Sequence, residues 1–406
     1  MIKLRDIILL EKERLATGLF YAGFLFAYFG SLHPWFMWPL ATLYPVPAAL
    51  CFFGSLLVSN SMENPIFTRR DFLLPVIAFI IFATYERVSN SSNLNAFLMM
   101  PFRVLIFFCM FRVGLDKLRG LMTFLSKLMG AMLALSLFAF FLYLSGFPLP
   151  GSNAQFGEFY SFTNFYFFLV EDHNLMLIIP RFCSFCLEPS HIGGACAFLL
   201  FSQLGQWRKW YNLVMLATLF FTFSVAAYVY IVVALFSNVW IQRRHFVSKL
   251  LLVLAFLGVG TIFTFTYNGG NNLVHDLIML RLEIDDGEMA GDNRVTGLFD
   301  ADYNNFIHYG SFTDIMFGRD FEVVEFGNSG YKVFFYENGI VGILLLFLFY
   351  GIIMWHAPDK RAMMAALFLA FLYFVVSAFM LWEYIIFPIY AGAYLLAYSP
   401  ESPTDN

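Results

Sequence analysis

The stretch WYNLVMLATLFFTFSVAAYVYIVVALFSNVW, Trp210 to Trp240, decides the architecture, because it is long enough for either one tilted membrane helix or two short ones. A helix needs about 20 apolar residues to cross a bilayer. Arg208 and Lys209 precede the run, and Arg243 and Arg244 follow it. Basic residues beside membrane helices stay in the cytoplasm. Both ends therefore belong inside, and the run turns back on itself, most simply near Ser224. Its first half is only roughly 20 Å long at about 1.5 Å per residue, short for a membrane unless embedded in protein.

The rest of the chain follows the same logic. Of its residues 60% are hydrophobic and 13% charged, against about 25% charged in a soluble domain, so it reads as an all-α polytopic membrane protein. Further expected spans are Leu15 to His33, Trp35 to Ser59, Phe72 to Tyr85, Ala96 to Phe111, Leu121 to Gly146 and Ser190 to Gln206, then, beyond Trp240, Leu250 to Tyr267, Tyr336 to Trp355, Ala362 to Phe379 and Trp382 to Tyr398. Together with the two halves of the opening stretch these make about 12 transmembrane helices. With that count 17 of the 24 bases fall on the cytoplasmic side, which puts both termini inside. The chain 1–406 is then one integral domain with two long outward loops, 147–189 and 268–335. The start, MIKLRDIILLEKER, mixes acids with bases and has no small-residue cleavage site after it, so it reads as a retained helix.

Neither apolar run of the first loop, Phe165 to Val170 or Leu175 to Pro180, is long enough to cross; they suit an interfacial segment or, preferably, strands packed on the bundle. The second loop opens on Asn271 and Asn272 as helix caps, continues with Val274, Leu277, Ile278 and Leu282 at helical spacing, and breaks at Gly287. That pattern is an amphipathic lid. Cys183 and Cys186 stand in a CxxC spacing that suits free thiols or a disulfide. A zinc site needs two more ligands, which His191 alone does not supply, so no metal is expected. There is no Walker-type glycine loop and no DxD-like sugar-nucleotide motif, so no nucleotide cofactor and no nucleic-acid partner is expected.

One further stretch concentrates charge: Arg181 to Gly194, RFCSFCLEPSHIGG, places an Arg, a Glu and a His before an apolar segment. Ionisable side chains near bilayer depth mark functional sites by default. This stretch resembles the Arg, aromatic, Glu-Pro-Ser pattern that precedes a membrane helix in bacterial O-antigen and exopolysaccharide polymerases of the Wzy type. The later stretches NRVTGLF, IMFGRDFE and GNSGYKVFFYENGIVGILLLF are similar to that family's second outward loop and its return through a Glu-x-Gly-x-x-Gly element. O-antigen ligases share the architecture. They usually carry a His-Asn pair ahead of the Glu-x-Gly-x-x-Gly element, whereas here Asn328 follows Gly327.

The resemblance implies a glycosyltransferase of the bacterial inner membrane, acting at its outer face on undecaprenyl-pyrophosphate-linked oligosaccharides. Its implied partners are those lipids, the surrounding membrane lipids and a chain-length regulator protein. Arg181 and Arg294 sit at the family's two arginine positions, where they would hold the departing pyrophosphate. A general base must take the proton of the attacking hydroxyl. Glu188 is the first candidate, although it could simply cap its own helix, and His308 is the second. Arg103 lies well inside its span and must face Glu86, Glu188 or the pyrophosphate. Tyr303, Asn304, Asn305 and Tyr331 suit sugar binding by hydrogen bonding and ring stacking, with a structural role the alternative for any one of them. A ligase, a flippase or other transporter, and a non-catalytic assembly protein are the alternatives.

Overall fold

Each of the twelve segments expected to cross holds one helix in the computed structural model, which describes residues 4–58, 71–89, 94–157, 160–172, 180–203, 206–242, 246–270, 272, 275, 284–285, 288–289, 297–319, 330–377 and 380–396. The helices are α1 (Leu4–Leu32), α2 (Pro45–Val58), α3 (Leu73–Ser89), α4 (Leu94–Arg112), α5 (Leu115–Leu144), α6 (Pro189–Ser202), α7 (Trp210–Phe221), α8 (Val225–Gln242) and α9 (Phe246–Thr266). After the second long connection, which carries α10 (Gly297–Tyr309) and α11 (Phe312–Phe317), come α12 (Gly330–Met354), α13 (Lys360–Val376) and α14 (Glu383–Leu395).

Only five stretches of the described residues are both long and apolar enough to cross a membrane unaided: Glu11–Leu32, Ala41–Val58, Leu115–Leu144, Phe246–Gly270 and Gly330–Met354. The other expected spans fall short in length or carry polar residues. α7, for instance, has 12 residues, about 18 Å of helix.

The opening stretch does break where charge demanded. α7 ends at Phe221, α8 starts at Val225, and Phe223 between them takes a positive φ of 45°. The span expected from Trp35 is corrected. Two short 3-10 turns, Trp35–Met37 and Ala41–Leu43, occupy its first half, and α2 starts only at Pro45. Prolines 34 and 39 remove donors and clash with the preceding turn, so the helix cannot start before them, while Pro45 and Pro47 sit in the first turn of α2, where a missing donor costs little.

A helix that is apolar all round belongs inside a bundle. α14 and α6 meet that description, with every residue of α14 buried and nearly all of α6. α14 packs against α1, α5, α6, α12 and α13, and α6 against α8 and α14. The amino-terminal ends of these two inner helices carry Glu188 and Glu383.

The first connection departs from the all-α expectation. It folds into a three-stranded antiparallel sheet, β1 (Ser152–Phe156), β2 (Tyr160–Asn164) and β3 (Leu169–Glu171), in the order β1-β2-β3. Of the first expected run only Leu169 and Val170 lie on a strand, β3, and of the second run residues 175–179 lie outside the described residues. Phe168 and Val170 pack with Phe140 and Phe182, and Phe162 and Leu169 pack with Leu187, Trp35 and Trp38.

In the second connection Asn272 accepts from the His275 backbone N–H at 3.0 Å, as a cap does. Val274, Leu277, Ile278 and Leu282 lie outside the described residues. Two-residue strands β4 (Ile284–Asp285) and β5 (Glu288–Met289) pair antiparallel across the expected break at Gly287. α12 begins at Gly330, earlier than the expected end of the loop at Phe335, and kinks at Gly339, where φ is 60° and ψ −167°.

That kink is where the second connection docks. A Cβ at Gly339 would stand 2.5 Å from the Met316 carbonyl group and 2.6 Å from the Gly318 nitrogen, while a Cβ at Gly318 would meet the Glu337 carbonyl. The Arg319 N–H donates to the Tyr336 carbonyl at 2.8 Å. The Glu-x-Gly-x-x-Gly element is thus a backbone-to-backbone seat for the end of α11.

Candidate active site at the bundle mouth

Glu188 is the N-cap residue of α6, in extended backbone, and its side chain makes no capping bond. Its carboxylate instead accepts from two hydroxyls, Tyr160 on β2 and Ser190 on α6, each at 2.7 Å. These two donors, one from the sheet and one from its own helix, orient the group. Simple capping of its own helix is therefore not what Glu188 does.

From Glu188 the contacts run in a closed circuit. Tyr160 stacks on Phe162 with ring centres 6.0 Å apart, Phe162 meets Trp38 at 5.9 Å, and Trp38 meets Phe156 at 5.2 Å. Phe156 faces His33 at 6.1 Å, His33 faces Trp382 at 5.0 Å, and Trp382 faces His191 at 6.1 Å. The His191 N–H then donates to the Glu188 carbonyl at 3.2 Å. Residues from the end of α1, the sheet, the start of α6 and the start of α14 thereby share one mouth, and the polar ones among them are half-buried.

His33 also faces Tyr44, with ring centres 6.4 Å apart, and Tyr44 leads to an ion pair. The Arg103 Nε–H donates to Glu383 at 2.8 Å, its Nη2 donates to the Leu381 carbonyl, and the Tyr44 hydroxyl donates to the other Glu383 oxygen at 2.8 Å. Glu383 is 0% exposed and Arg103 8%. The acid that Arg103 bonds is therefore Glu383, which corrects the expectation of Glu86 or Glu188. An acid in the first turn of α14 also gains from the positive end of the helix dipole. A lone acid in the apolar run MLWEYIIFPIY was the signal for it, by the rule that drew attention to Arg103. His33 and Trp382 give no comparable signal, since a His beside a proline and a Trp at a span end have ordinary structural uses.

Arg181 is half-buried beside the same mouth. Its neighbour Phe182 donates its N–H to the Phe221 carbonyl at 3.1 Å, which clips the stretch to the α7–α8 break. Arg181, Glu171 and Glu188 all lie within electrostatic reach of the Cys183 thiol. Arg294 lies outside the described residues.

The other expected residues gather on α10 and the start of α12. His308 and Asn305 are exposed, Tyr303 is half-buried and Tyr331 is 40% exposed. Tyr303 lies under the Lys332 ammonium, 5.5 Å from its ring centre, and Lys332 pairs with Asp300 at 3.3 Å. Asp302 accepts from Arg319 at 2.5 Å and from the Tyr336 hydroxyl. Phe299, Phe306 and Tyr336 bury their rings together below these pairs. Tyr303, Asn305 and His308 therefore lie together on α10, and Tyr331 lies at the start of α12. Tyr85 bridges the two regions. Its hydroxyl donates to the Asn338 carbonyl at 2.7 Å, with the Phe317 carbonyl 3.2 Å away, and the next residue, Glu86, lies within electrostatic reach of Arg103.

All five cysteines are free thiols, and Cys183 and Cys186 are buried. Burial pushes the Cys183 thiol up to about 12, with Glu171 and Glu188 adding to the shift and Arg181 opposing it. The thiolate is the reactive form, and a raised pKa leaves little of it near pH 8. Maleimide at pH 8 is therefore expected to leave Cys183 and Cys186 unlabelled until the protein is denatured. Rapid labelling of either in the native state, read by peptide mass spectrometry, would contradict that burial. Among the described residues no group of three or more His, Cys, Asp or Glu side chains is placed to hold a metal.

Compared with family models, curated proteins and solved structures, the chain matches none.

Proposed function

We propose that this protein is a membrane glycosyltransferase that joins a glycan carried on undecaprenyl pyrophosphate to a hydroxyl of another lipid-linked repeat unit, at the outer face of the bacterial inner membrane. Twelve spans with both termini cytoplasmic belong to the same proposal. The observation that carries it is the mouth itself: a carboxylate, an arginine and two imidazoles converge at the start of the buried helix α6. A lipid-borne donor could reach such a place from the side while its sugars stay in water.

The chemistry asks for two things there. The departing pyrophosphate needs cations, and an Arg can contact phosphate through two parallel donors. Arg181 is the mouth's own arginine, and Arg294 is its expected partner from the second connection. The attacking hydroxyl needs a proton acceptor, for which the sequence offers Glu188 and His308. Tyr303, Asn305 and Tyr331 would hold sugar under the second connection, where ring stacking and amide bonds suit a carbohydrate.

The test incubates purified full-length protein with lipid-linked repeat units alone. A ladder of longer glycans is expected. A ligase would need a lipid A-core acceptor, and a transporter or assembly protein would leave the units unchanged. Charge-assisted contacts to phosphate are worth roughly 1.5–3 kcal/mol each, so Arg181→Ala or Arg294→Ala is expected to slow the ladder about tenfold to a hundredfold. Lys at either position should keep part of the rate. If the two act as one clamp, the double Ala variant should be little worse than the more damaging single one. Parental rates for both folded Ala variants would sink the clamp.

A further inference from the structure

We infer that His33 is the group that takes the proton from the attacking hydroxyl, a role that rests on the glycosyl-transfer reading above. Three observations lead to it. First, the ring is oriented. His33 Nδ1 lies 3.0 Å from the Ser31 carbonyl, and a carbonyl only accepts, so Nδ1 carries the hydrogen and Nε2 presents its lone pair. The bond to Ser31 uses Nδ1 and leaves Nε2 on the far side of the ring. An imidazole whose far nitrogen is held in this way is the arrangement by which bases are oriented for proton uptake.

Second, the ring is held at the mouth by an unusual backbone. His33 has a φ of 54°, a left-handed conformation that a non-glycine residue adopts only when the surroundings demand it. The chain leaves α1 here, between the Phe29 carbonyl that the His33 N–H reaches at 3.1 Å and the Trp38 indole that donates to the His33 carbonyl at 3.0 Å. The result turns the side chain onto Trp382 and within electrostatic reach of His191.

Third, the competing groups are less well placed. Glu188 has one oxygen engaged by the Tyr160 hydroxyl and the other by that of Ser190. His308 is exposed on α10, its ring against that of Tyr309.

In the step itself the acceptor O–H bond breaks and its proton goes to His33 Nε2. The oxygen's electron pair forms the new bond to the donor's anomeric carbon. The bond from that carbon to the pyrophosphate oxygen breaks, and its electron pair leaves with the pyrophosphate. No oxidant, reductant or further reactant is needed.

Two variants test the role in the full-length protein with undecaprenyl-pyrophosphate-linked repeat units as probe. Asn and Gly both tolerate a positive φ, and Asn keeps a donor for the Ser31 carbonyl. His33→Asn is expected to lower turnover by about 10²–10⁴, the usual contribution of a positioned acid or base, while KM stays within about twofold. His33→Gly is expected to fall similarly and to regain at least about tenfold on adding free imidazole, which a structural role would not produce. A parental rate for His33→Asn overturns the inference and leaves the glycosyl-transfer reading standing. So does a His33→Gly protein with parental melting that imidazole fails to rescue. A parental protein that makes no ladder overturns that reading and this role with it.

Discussion

Replacing Arg103 by Leu is expected to cost about 3–5 kcal/mol of folding stability, because it strands Glu383 as an uncompensated charge in a fully buried place. Glu383→Leu is expected to cost a similar amount by stranding the guanidinium. Replacing both partners by apolar residues of similar volume should restore most of the loss, since a buried ion pair nearly cancels its own desolvation. Thermal melting in detergent reads all three. The Tyr44 hydroxyl on the second Glu383 oxygen makes Tyr44→Phe a milder member of the series, at about 1–3 kcal/mol for a bond to a charged acceptor. If Arg103→Leu melted like the parent yet lost glycan turnover, Arg103 would be a pyrophosphate ligand and the pair with Glu383 incidental.

Gly339→Ala is expected to release the second connection from the bundle. Its φ of 60° and ψ of −167° lie in a region that is essentially Gly-only and costs another residue about 1–3 kcal/mol. The added Cβ would also enter the space of the Met316 carbonyl and the Gly318 nitrogen. Both are backbone atoms and cannot rotate aside, so the end of α11 must lift. The expected readout is faster hydrogen exchange across 312–319 and easier proteolysis of the connection, with melting of the remaining bundle little changed. Exchange at the parental rate would mean that the kink absorbs a methyl group, and that the seat is looser than its contacts imply. Gly351, with open space around its Cβ position, is the control: Ala there should be silent or slightly stabilising.

The two predictions mark what was legible in the residues and what was not. Helix placement was legible, because an apolar run bounded by charge or proline has few other uses. The break before Ser224 followed from four basic residues alone, since a charge that cannot enter hydrocarbon reports which way the chain must turn. Glu188 as a polar group at a helix mouth was legible for the same reason, as an ionisable residue beside an apolar segment.

Partners were a different matter. Arg103 announced that it needed a counter-charge, but Glu383 lies 280 positions away, and nothing in the local pattern of α4 points to the first turn of α14. The His33 tautomer depends on the carbonyl two residues earlier and on a left-handed turn that the proline cluster after α1 makes possible. Its place opposite Trp382 and His191 depends on how three helix ends pack. The sheet over the mouth joins short strands whose alternation was too brief to stand out.

Composition and charge order by themselves determined that this is a helical chain suited to a membrane, where its helices break, and which short stretch carries concentrated charge. Hydrophobic burial and charge placement are local costs that each segment meets on its own. Which ionisable groups meet, which rings His33 faces, and that Gly318 and Gly339 must both lack a side chain were decided only by tertiary packing. Those facts depend on distances of a few ångströms between segments far apart in the chain, and no single segment's energy contains them.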